Sequence, residues 1–209
     1  MITLHAYGTP NGRKVSVALE EMGLPYAVHV VDITKDQQFD PAFLAISPNN
    51  RIPAITDDEG PDGQPISVFE SGAILLYLAQ KTGRFGGDTP RERIAVWEWL
   101  MWQMGGFGPM PGQMHHFLTQ PDGPARDYGV ARYGKETRRL YGVLDRRLGG
   151  RDWVATAQGP SIADFAILGW AWRHQRHLVD LADFPEVARW YGAMTARPGV
   201  AKGLEIGLS

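Results

Sequence analysis

Residues 7–14 read Tyr-Gly-Thr-Pro-Asn-Gly-Arg-Lys, and they join a short apolar stretch to an amphipathic one. The residues before the junction, 2–7, predict a β-strand, whereas Thr9 and Pro10 are typical of the cap and the first position of a helix. A helix N-terminus presents unpaired N–H groups and the positive end of the helix dipole, so it stabilises an anion. The junction is therefore either a candidate anion site or simply a well-capped helix start.

The following segments extend this junction into a βαβαββα order. The first helix ends at Gly23. Further elements are predicted as a strand over 26–33, a helical turn over 40–44, strands over 52–56 and 66–69, and a helix from 70–72 to about Lys81. The last two strands are expected to form an antiparallel hairpin. This order predicts an α/β thioredoxin-like domain.

Strand patterns stop after residues 83–88, and helical spacing takes over. The Gly/Pro/Met-rich segment 105–112 is predicted to interrupt one of the helices, and the last helix is predicted to end at Arg197-Pro198. Ser161 and Asp164 form a capping box ahead of an apolar helix. We therefore predict a thioredoxin-like domain at residues 1–82, a linker at 83–90 and an all-helical domain at 91–209.

Composition excludes several classes of function. The 209 residues carry a formal net charge of −2, with basic and acidic residues interspersed, which argues against a nucleic-acid partner. The longest apolar run, residues 73–79, is too short to span a membrane, and the N-terminus lacks the pattern of a signal peptide. We expect a cytoplasmic protein with no membrane partner.

The sequence contains no cysteine. Disulfide bridges, thiolate metal sites and a protein thiol nucleophile are therefore excluded. The adjacent histidines 115 and 116 would point apart on a helix, so we predict no metal site. Any sulfur redox chemistry would have to use the sulfur of a bound small molecule.

Three motifs occur in a characteristic order: Ile-Pro-Ala-Ile at 52–55, Glu-Ser-Gly at 70–72 and Ser-Ile-Ala-Asp at 161–164. Together they resemble the cytosolic glutathione transferases over essentially the whole chain. Within that family, residues 9–12, 47–53 and 102–110 look like the bacterial Nu class. The resemblance implies a homodimer that uses glutathione to reduce disulfides.

The resemblance also implies a binding site for glutathione. Glu70 would take the γ-glutamyl ammonium, and Ser71 with the neighbouring N–H groups would take the α-carboxylate. A cis-proline turn at Ile52-Pro53 would expose the Ile52 main chain to the cysteinyl peptide, although an X-Pro bond is trans by default.

The resemblance also implies three residues that contact carboxylates of glutathione, and their assignment is less specific than that of Glu70 and Ser71. Gln38 and Arg51 would lie near the glycyl carboxylate, and Arg132 would be a further carboxylate contact. Arg51 stands where a lysine is common in the class, which keeps the charge but changes its geometry. Each of the three has the alternative of being a solvated surface residue, and Arg132 lies among several other cations.

The thiol of glutathione must ionise to react. Lowering its pKa from about 8.5 to about 6.5 requires about 2.7 kcal/mol of anion stabilisation. Thr9 and Asn11, at a helix N-terminus, are sufficient for this because hydrogen bonds to a charged group contribute about 1.5–3 kcal/mol each. Tyr7 is a second candidate activator, with the alternative that its ring only ends a strand in the core.

These observations predict a glutathione-dependent disulfide-bond reductase in which Thr9 and Asn11 stabilise the thiolate. Its substrate would be a small-molecule disulfide or electrophile. Two alternatives stay open. The protein could be a glutathione S-transferase or peroxidase that acts on electrophiles or hydroperoxides, or a non-catalytic glutathione-binding regulatory protein, because fold alone does not establish catalysis.

Overall fold

The computed structural model describes residues 1–207. The chain divides into two compact units, one made of residues 1–86 together with the residues from Thr195 onward, and the other of residues 87–194. The first unit contains a mixed sheet with helices, and the second is helical. The predicted fold class, a thioredoxin-like α/β domain followed by an all-helical domain, is confirmed.

The first unit contains the predicted βαβαββα order. Its strands are β1 (Ile2–Ala6), β2 (Tyr26–Val30), β3 (Ala54–Asp57) and β4 (Ile66–Phe69). They lie in the order β2-β1-β3-β4, with β1 parallel to β2 and antiparallel to β3, and β3 antiparallel to β4. The helices bury apolar faces on this sheet because Leu19, Leu75 and Leu78 are fully buried with Leu4 and Ile55. The helices of this order are α1 (Pro10–Met22), α2 (Pro41–Leu44) and α3 (Ser71–Thr82).

The second unit is built around a buried helix. Every residue of that helix, α7 (Ile162–Ala171), is buried. The predicted capping box is formed, and in it Ser161 donates its N–H and its hydroxyl to Asp164, each at 2.8 Å. Trp190 and Tyr141 are the largest fully buried side chains of the second unit, and Trp190 donates from Nε1 to Asp164 of this helix at 2.9 Å. The other helices are α4 (Pro90–Trp102), α5 (Pro109–Leu118), α6 (Pro124–Leu148) and α8 (Pro185–Thr195).

The predicted interruption at 105–112 takes a different form in the structure. The chain stays helical through a π-helical turn, Gln103–Phe107, and α5 begins at Pro109. Proline at the first position of a helix loses no intrahelical hydrogen bond, so it starts a helix as readily as it ends one. Glycine at 108 does permit close packing, because an added Cβ would lie 2.8 Å from Gln103 Nε2 and 3.2 Å from Trp170 Nε1. The segment therefore joins α4 to α5 through helical turns rather than through an irregular break.

A ninth helix, α9 (Pro198–Glu205), was missed, and it lies in the first unit rather than in the predicted helical domain. The backbone oxygen of Gly203 accepts from the hydroxyl of Ser16 at 2.7 Å and from Arg13 at 3.4 Å, and both donors lie on α1. A Cβ at Gly203 would lie only 2.6 Å from the Cα of Val17, so glycine permits the close approach. The structure thus differs from the predicted domain of residues 91–209 at its C-terminal end.

Across residues 1–207, none of the helices combines the length and the apolar character needed to span a bilayer.

Candidate functional site

The junction between β1 and α1 is built by a capped helix start. Thr9 is the N-cap residue of α1, with extended backbone angles, and its Oγ1 accepts from the Gly12 N–H at 3.4 Å. The Thr9 N–H donates to the Tyr7 carbonyl at 2.6 Å. Because the hydroxyl acts as an acceptor in the cap, its O–H hydrogen is available to a ligand. Tyr7 and Asn11 flank Thr9 and are partly buried.

The strand register brings several predicted residues to one edge of the sheet. His5 lies opposite Ala54, and Ala54 lies opposite Phe69. The carboxyl ends of β1 and β4 and the start of β3 therefore share an edge. Helix α1 begins after β1, the Ile52 turn comes directly before β3, and α3 begins after β4. These three segments therefore lie at the same edge of the sheet.

The loop before β3 has the predicted geometry. The Ile52–Pro53 peptide bond is cis, as the family resemblance implied. Ser47 holds the loop by donating its hydroxyl to the Arg51 carbonyl at 2.8 Å, and the Ile52 side chain packs against the cluster that includes Phe43. Within residues 1–207, neither the N–H nor the carbonyl of Ile52 has a hydrogen-bond partner. Its main chain is thus available to pair with an extended peptide.

The start of α3 has an unusual backbone. Glu70 precedes the helix with φ 68° and ψ 114°, and its side chain is exposed. A non-glycine residue with positive φ costs about 1–3 kcal/mol, and such strain often occurs at binding sites. Ser71 follows as the first residue of a twelve-residue helix and is only 6% exposed. An exposed carboxylate therefore stands beside a helix N-terminus and a buried hydroxyl.

Sequence reasoning missed Lys14, which lies behind this helix start. Its Nζ donates to the Ser71 hydroxyl oxygen at 3.4 Å, and the residue is 2% exposed. Burial lowers the pKa of Lys14 to about 7, and the charge of Glu70 opposes that decrease. A signal existed in the sequence, because Lys14 stands four residues before Ala18, on the buried face of an amphipathic helix.

Gln38 and Arg51 lie on loops on either side of α2. Gln38 belongs to a 3-10 turn after β2, where its Nε2 donates to Asp36 at 3.4 Å. Its Oε1 is buried and has no hydrogen-bond partner within residues 1–207. The Arg51 side chain is exposed and directly precedes the Ile52 turn. Because β2 runs parallel to β1, the Gln38 loop leaves the sheet at the same edge as the start of α1. The Arg51 loop enters β3 at that edge, because β3 is antiparallel to β1.

Arg132 lies on α6 in the second unit, apart in sequence and unit from the other predicted site residues. It lines a cavity of about 800 Å³ within that unit. Arg139, on the same wall, forms a two-point ion pair with Glu136 at 2.7 and 2.8 Å. The remaining lining residues are Met110, Tyr128, Ala131, Tyr133 and Lys135.

The adjacent histidines of α5 have different environments. The His115 ring packs against His177 and Trp170, with ring centroids at 4.8 and 5.8 Å, whereas His116 is exposed. Burial lowers the pKa of His115 to about 4, so the ring is neutral at physiological pH. In the part of the chain that the structure describes, there is no group of three acidic, histidine or cysteine side chains that could hold a metal.

The sequence matches the N-terminal domain of glutathione S-transferases over residues 9–81 and their C-terminal domain over residues 123–198. It is also 48% identical over 207 residues to the disulfide-bond oxidoreductase YfcG of Escherichia coli (strain K12), covering 98% of this chain and 94% of YfcG. The chain belongs to the glutathione S-transferase family. The family resemblance read from the sequence motifs is confirmed.

Two crystal structures of other glutathione S-transferases match closely. A family member from Pseudomonas fluorescens Pf-5, with two glutathione molecules bound, has a TM-score of 0.91 and 45% identity, covering 98% of this chain and 92% of that chain. A glutathione transferase from Pseudomonas putida, with one glutathione disulfide bound per subunit, has a TM-score of 0.91 and 44% identity, covering 99% and 91%.

In this glutathione S-transferase, the sheet edge has the features of an anion-binding site. The N-termini of α1 and α3 both face it, and each carries a hydroxyl, that of Thr9 or Ser71. Helix N-termini favour negative charge, while the exposed Glu70 carboxylate favours an ammonium group. A ligand with an amino acid end and further anionic groups matches this arrangement of charges.

Proposed function

We propose that this glutathione S-transferase reduces disulfide bonds with glutathione and that it belongs to the Nu class. The observation that carries the proposal is the capped start of α1. There the Thr9 hydroxyl and Asn11 lie at a helix N-terminus in a chain without cysteine. Such a site stabilises a thiolate but supplies no sulfur of its own. The relatives YfcG and the Pseudomonas putida transferase support the proposal through their name and their bound ligand.

Glutathione would bind along the sheet edge in an extended form. Glu70 would pair with the γ-glutamyl ammonium, and the Ser71 hydroxyl and the N-terminus of α3 would bind the α-carboxylate. The N–H and carbonyl of Ile52 would pair with the cysteinyl peptide. Gln38 and Arg51 would contact the glycyl carboxylate, from the loops on either side of α2.

The thiolate would lie at the start of α1. Thr9 would donate its O–H and Asn11 its amide, and both bonds are stronger to the charged sulfur than to the neutral thiol. The ligand thiol would therefore ionise below its ordinary pKa of about 8.5. This mechanism requires no lysine or histidine at the sulfur.

The reaction then needs two sulfur exchanges. The bound thiolate attacks one sulfur of the substrate disulfide, a mixed disulfide forms, and the other half leaves as a thiolate that takes up a proton. A second glutathione thiolate attacks the glutathione sulfur of the mixed disulfide, giving glutathione disulfide and releasing the second substrate thiol. Bound glutathione pairs and glutathione disulfide in the two Pseudomonas structures fit these reactants and products.

Arg132 would bind a carboxylate of the substrate or of the second glutathione. It lies in a cavity of about 800 Å³ whose wall also carries Lys135. Arg139, on the same wall, is already paired with Glu136, so Arg132 and Lys135 are the better anion ligands among the lining cations. We also propose a cytoplasmic location, because a reduced glutathione pool is maintained there.

The deciding experiment measures two reactions on one sample. Reduction of 2-hydroxyethyl disulfide by glutathione is followed through glutathione reductase and NADPH, and conjugation is followed with an aryl halide. We expect disulfide reduction to be at least about tenfold faster than conjugation under matched conditions. Tyr7→Phe should leave the disulfide rate within about twofold because the tyrosine hydroxyl is not needed.

The opposite result would contradict this proposal. Fast conjugation that Tyr7→Phe abolishes would indicate a conjugating transferase with Tyr7 as its activator. Tight glutathione binding without turnover in either assay would indicate a regulatory binding protein.

We further propose that the protein is a homodimer and that α4 contributes to the interface. Ile94, Trp97 and Met101 follow one another at helical spacing on α4 and are 50–52% exposed. The family resemblance implies that a second copy of the chain covers this surface of α4. Burial of the three apolar side chains would favour association.

Trp97→Glu should convert the dimer to a monomer, because the interface would then have to bury a carboxylate. Light scattering during size-exclusion chromatography measures the mass of each species. Leu178→Glu is the matched control, since it adds the same charge at another exposed apolar position of the second unit and should leave the dimer intact. A wild-type protein that is monomeric at micromolar concentration would contradict the assignment.

A further inference from the structure

Two histidine rings of the second unit pack against each other. His115 lies on α5, and His177 is the last residue of a 3-10 turn, His174–His177, that follows α7. The two ring centroids are 4.8 Å apart, and His177 is only 1% exposed. The Trp170 ring contacts both, with centroid distances of 5.8 and 6.1 Å. The contact between α5 and the 3-10 turn is therefore made by two rings that can each gain a proton.

The hydrogen bonds of the two rings fit their neutral form. His177 Nδ1 lies 3.0 Å from the Tyr141 hydroxyl on α6. The Nε2 atoms of His115 and His177 are both buried, and within residues 1–207 neither has a hydrogen-bond partner. A neutral ring with its hydrogen on Nδ1 needs no acceptor at Nε2, whereas a protonated ring donates from both nitrogens. Protonation would therefore place an N–H donor where these residues supply no acceptor, which is costly in the interior.

The charged groups around the pair also oppose protonation. The charges that act on His115 are those of Arg173 and Arg176. The groups that act on His177 are also cations or basic rings, namely His115, His174 and Arg173. Like charges repel strongly where little water separates them. Burial and then these charges lower the pKa of His115 to about 4 and that of His177 to about 3.

The other elements around the pair bring no negative charge to it among the described residues. Tyr141 on α6 and Tyr191 on α8 are the titratable groups, and the Tyr191 ring contacts His174 with centroids at 5.6 Å. Burial raises the pKa of both tyrosines, so they stay neutral. Helix α7 contributes the uncharged Trp170, and the π-helical turn before α5 has no titratable residue.

We propose that the His115–His177 pair is an acid-sensitive contact, which holds the 3-10 turn against α5 while both rings are neutral and releases it when either ring is protonated. The release exposes the rings to water, which then supplies the acceptors that the interior lacks. The contact lies wholly within the second unit. The inference goes beyond the proposed disulfide reduction and does not depend on glutathione binding.

The direction of the pH dependence follows from the proton balance. A histidine that is neutral when folded and protonated when unfolded lowers the free energy of unfolding as pH falls. The stability is complete above the ordinary pKa of about 6.5 and is lost as pH falls toward the pKa of the folded protein. Between pH 7.5 and pH 5.0 the equilibrium constant for unfolding should rise by up to about thirtyfold for each of the two rings.

The experiment is urea denaturation at pH 7.5 and pH 5.0, followed by circular dichroism. His115→Phe keeps an aromatic ring against His177 but cannot be protonated. The rise in the unfolding constant between the two pH values should be about tenfold to thirtyfold smaller in His115→Phe than in the wild type. His116→Phe is the matched control, because it makes the same change at the adjacent, exposed histidine. Its rise should equal that of the wild type within about twofold.

A second variant and a direct measurement locate the effect. His177→Asn keeps an amide near the Tyr141 hydroxyl but does not titrate, so it should also reduce the rise in the unfolding constant. An NMR titration of the Cε1–H signals follows the charge of each of the six histidines. The signals that disappear in His115→Phe and His177→Asn identify the pair. In the folded wild type both rings should stay neutral down to about pH 5.

Two results would overturn the inference. One is a wild-type pH dependence of unfolding in both His115→Phe and His177→Asn. The other is protonation of the two rings near pH 6.5 in the folded wild type, because the interior would then accept the charge without releasing the turn. The NMR titration needs no substitution, so it decides the matter even if neither variant folds. Neither result bears on the proposed glutathione site, which lies on other residues.

Discussion

Thr9→Ala should lower the rate of disulfide reduction at pH 6.5 about tenfold to a hundredfold. The Thr9 hydroxyl is the N-cap of α1, and we propose that it donates to the glutathione thiolate. A hydrogen bond to a charged group contributes about 1.5–3 kcal/mol, so its loss raises the thiol pKa by about one to two units. Below the new pKa the thiolate fraction falls tenfold per unit, and the rate should recover toward pH 9. The pH–rate profile measures this shift directly.

Controls separate the thiolate from the helix cap. Thr9→Ser keeps the hydroxyl and should retain the wild-type profile, whereas Thr9→Ala also loses the cap, at about 0.5–2 kcal/mol of stability. The KM for glutathione should change little, since Glu70 and Ser71 still bind its γ-glutamyl end. Asn11→Ala should produce the same direction of shift. A profile that does not change in Asn11→Ala would exclude Asn11 from the mechanism, and one that does not change in Thr9→Ala would exclude Thr9.

Asp164→Ala should destabilise the protein by about 3–5 kcal/mol, the largest stability effect that we expect from a single polar residue. The Asp164 carboxylate is fully buried and accepts from the Val154 N–H at 3.0 Å, from Trp190 Nε1 at 2.9 Å, and from both the N–H and the hydroxyl of Ser161 at 2.8 Å. Burial raises the pKa of Asp164, and these hydrogen bonds oppose the increase. Alanine would leave several buried donors without an acceptor.

The decrease in the free energy of unfolding is measured by urea denaturation, with tryptophan fluorescence as the signal. Asp164→Asn is the informative intermediate, since its amide oxygen can still accept from Val154 and Trp190 while its NH2 group faces the Ser161 N–H. We expect it to cost about 1–3 kcal/mol. Asp152→Ala removes an exposed partner of Arg189 and should change stability by less than about 0.5 kcal/mol. If Asp164→Ala and Asp152→Ala lowered the free energy of unfolding equally, the buried hydrogen bonds of Asp164 would not be the source of this stability.

Local sequence signals were sufficient where the structure is determined by local chemistry. The capped start of α1 follows from Thr9 and Pro10, and the buried capping box follows from Ser161 and Asp164, because each side chain acts on backbone groups within three residues. The order of strands and helices in the first unit follows from short stretches of alternating or periodic apolar residues. Family resemblance was needed for the cis bond before Pro53, because an X-Pro bond is trans by default.

Local sequence patterns gave the wrong structure, or none, where a segment far away in the sequence determines how a residue packs. Pro198 ended the predicted last helix, yet it begins α9, since proline is compatible with either role and only packing on α1 distinguishes them. The sequence shows Lys14 only as part of a helix start, whereas its buried amine contacts Ser71 of α3, 57 positions away in the sequence. Arg132 was assigned by resemblance alone, and its surroundings became visible only with the cavity on α6.

The pairing of α1 with α9 also affects how the protein is made. Arg13 and Gly203 touch across a sequence separation of 190 residues, so the first unit lacks one of its helices until residues 198–205 have been translated. At about 5–20 residues per second, a ribosome needs on the order of 10–40 s to cover that separation. During this time the nascent unit exposes the face of α1 around Val17. The first unit can therefore be completed only after residues 87–194, which form the second unit, have been synthesised.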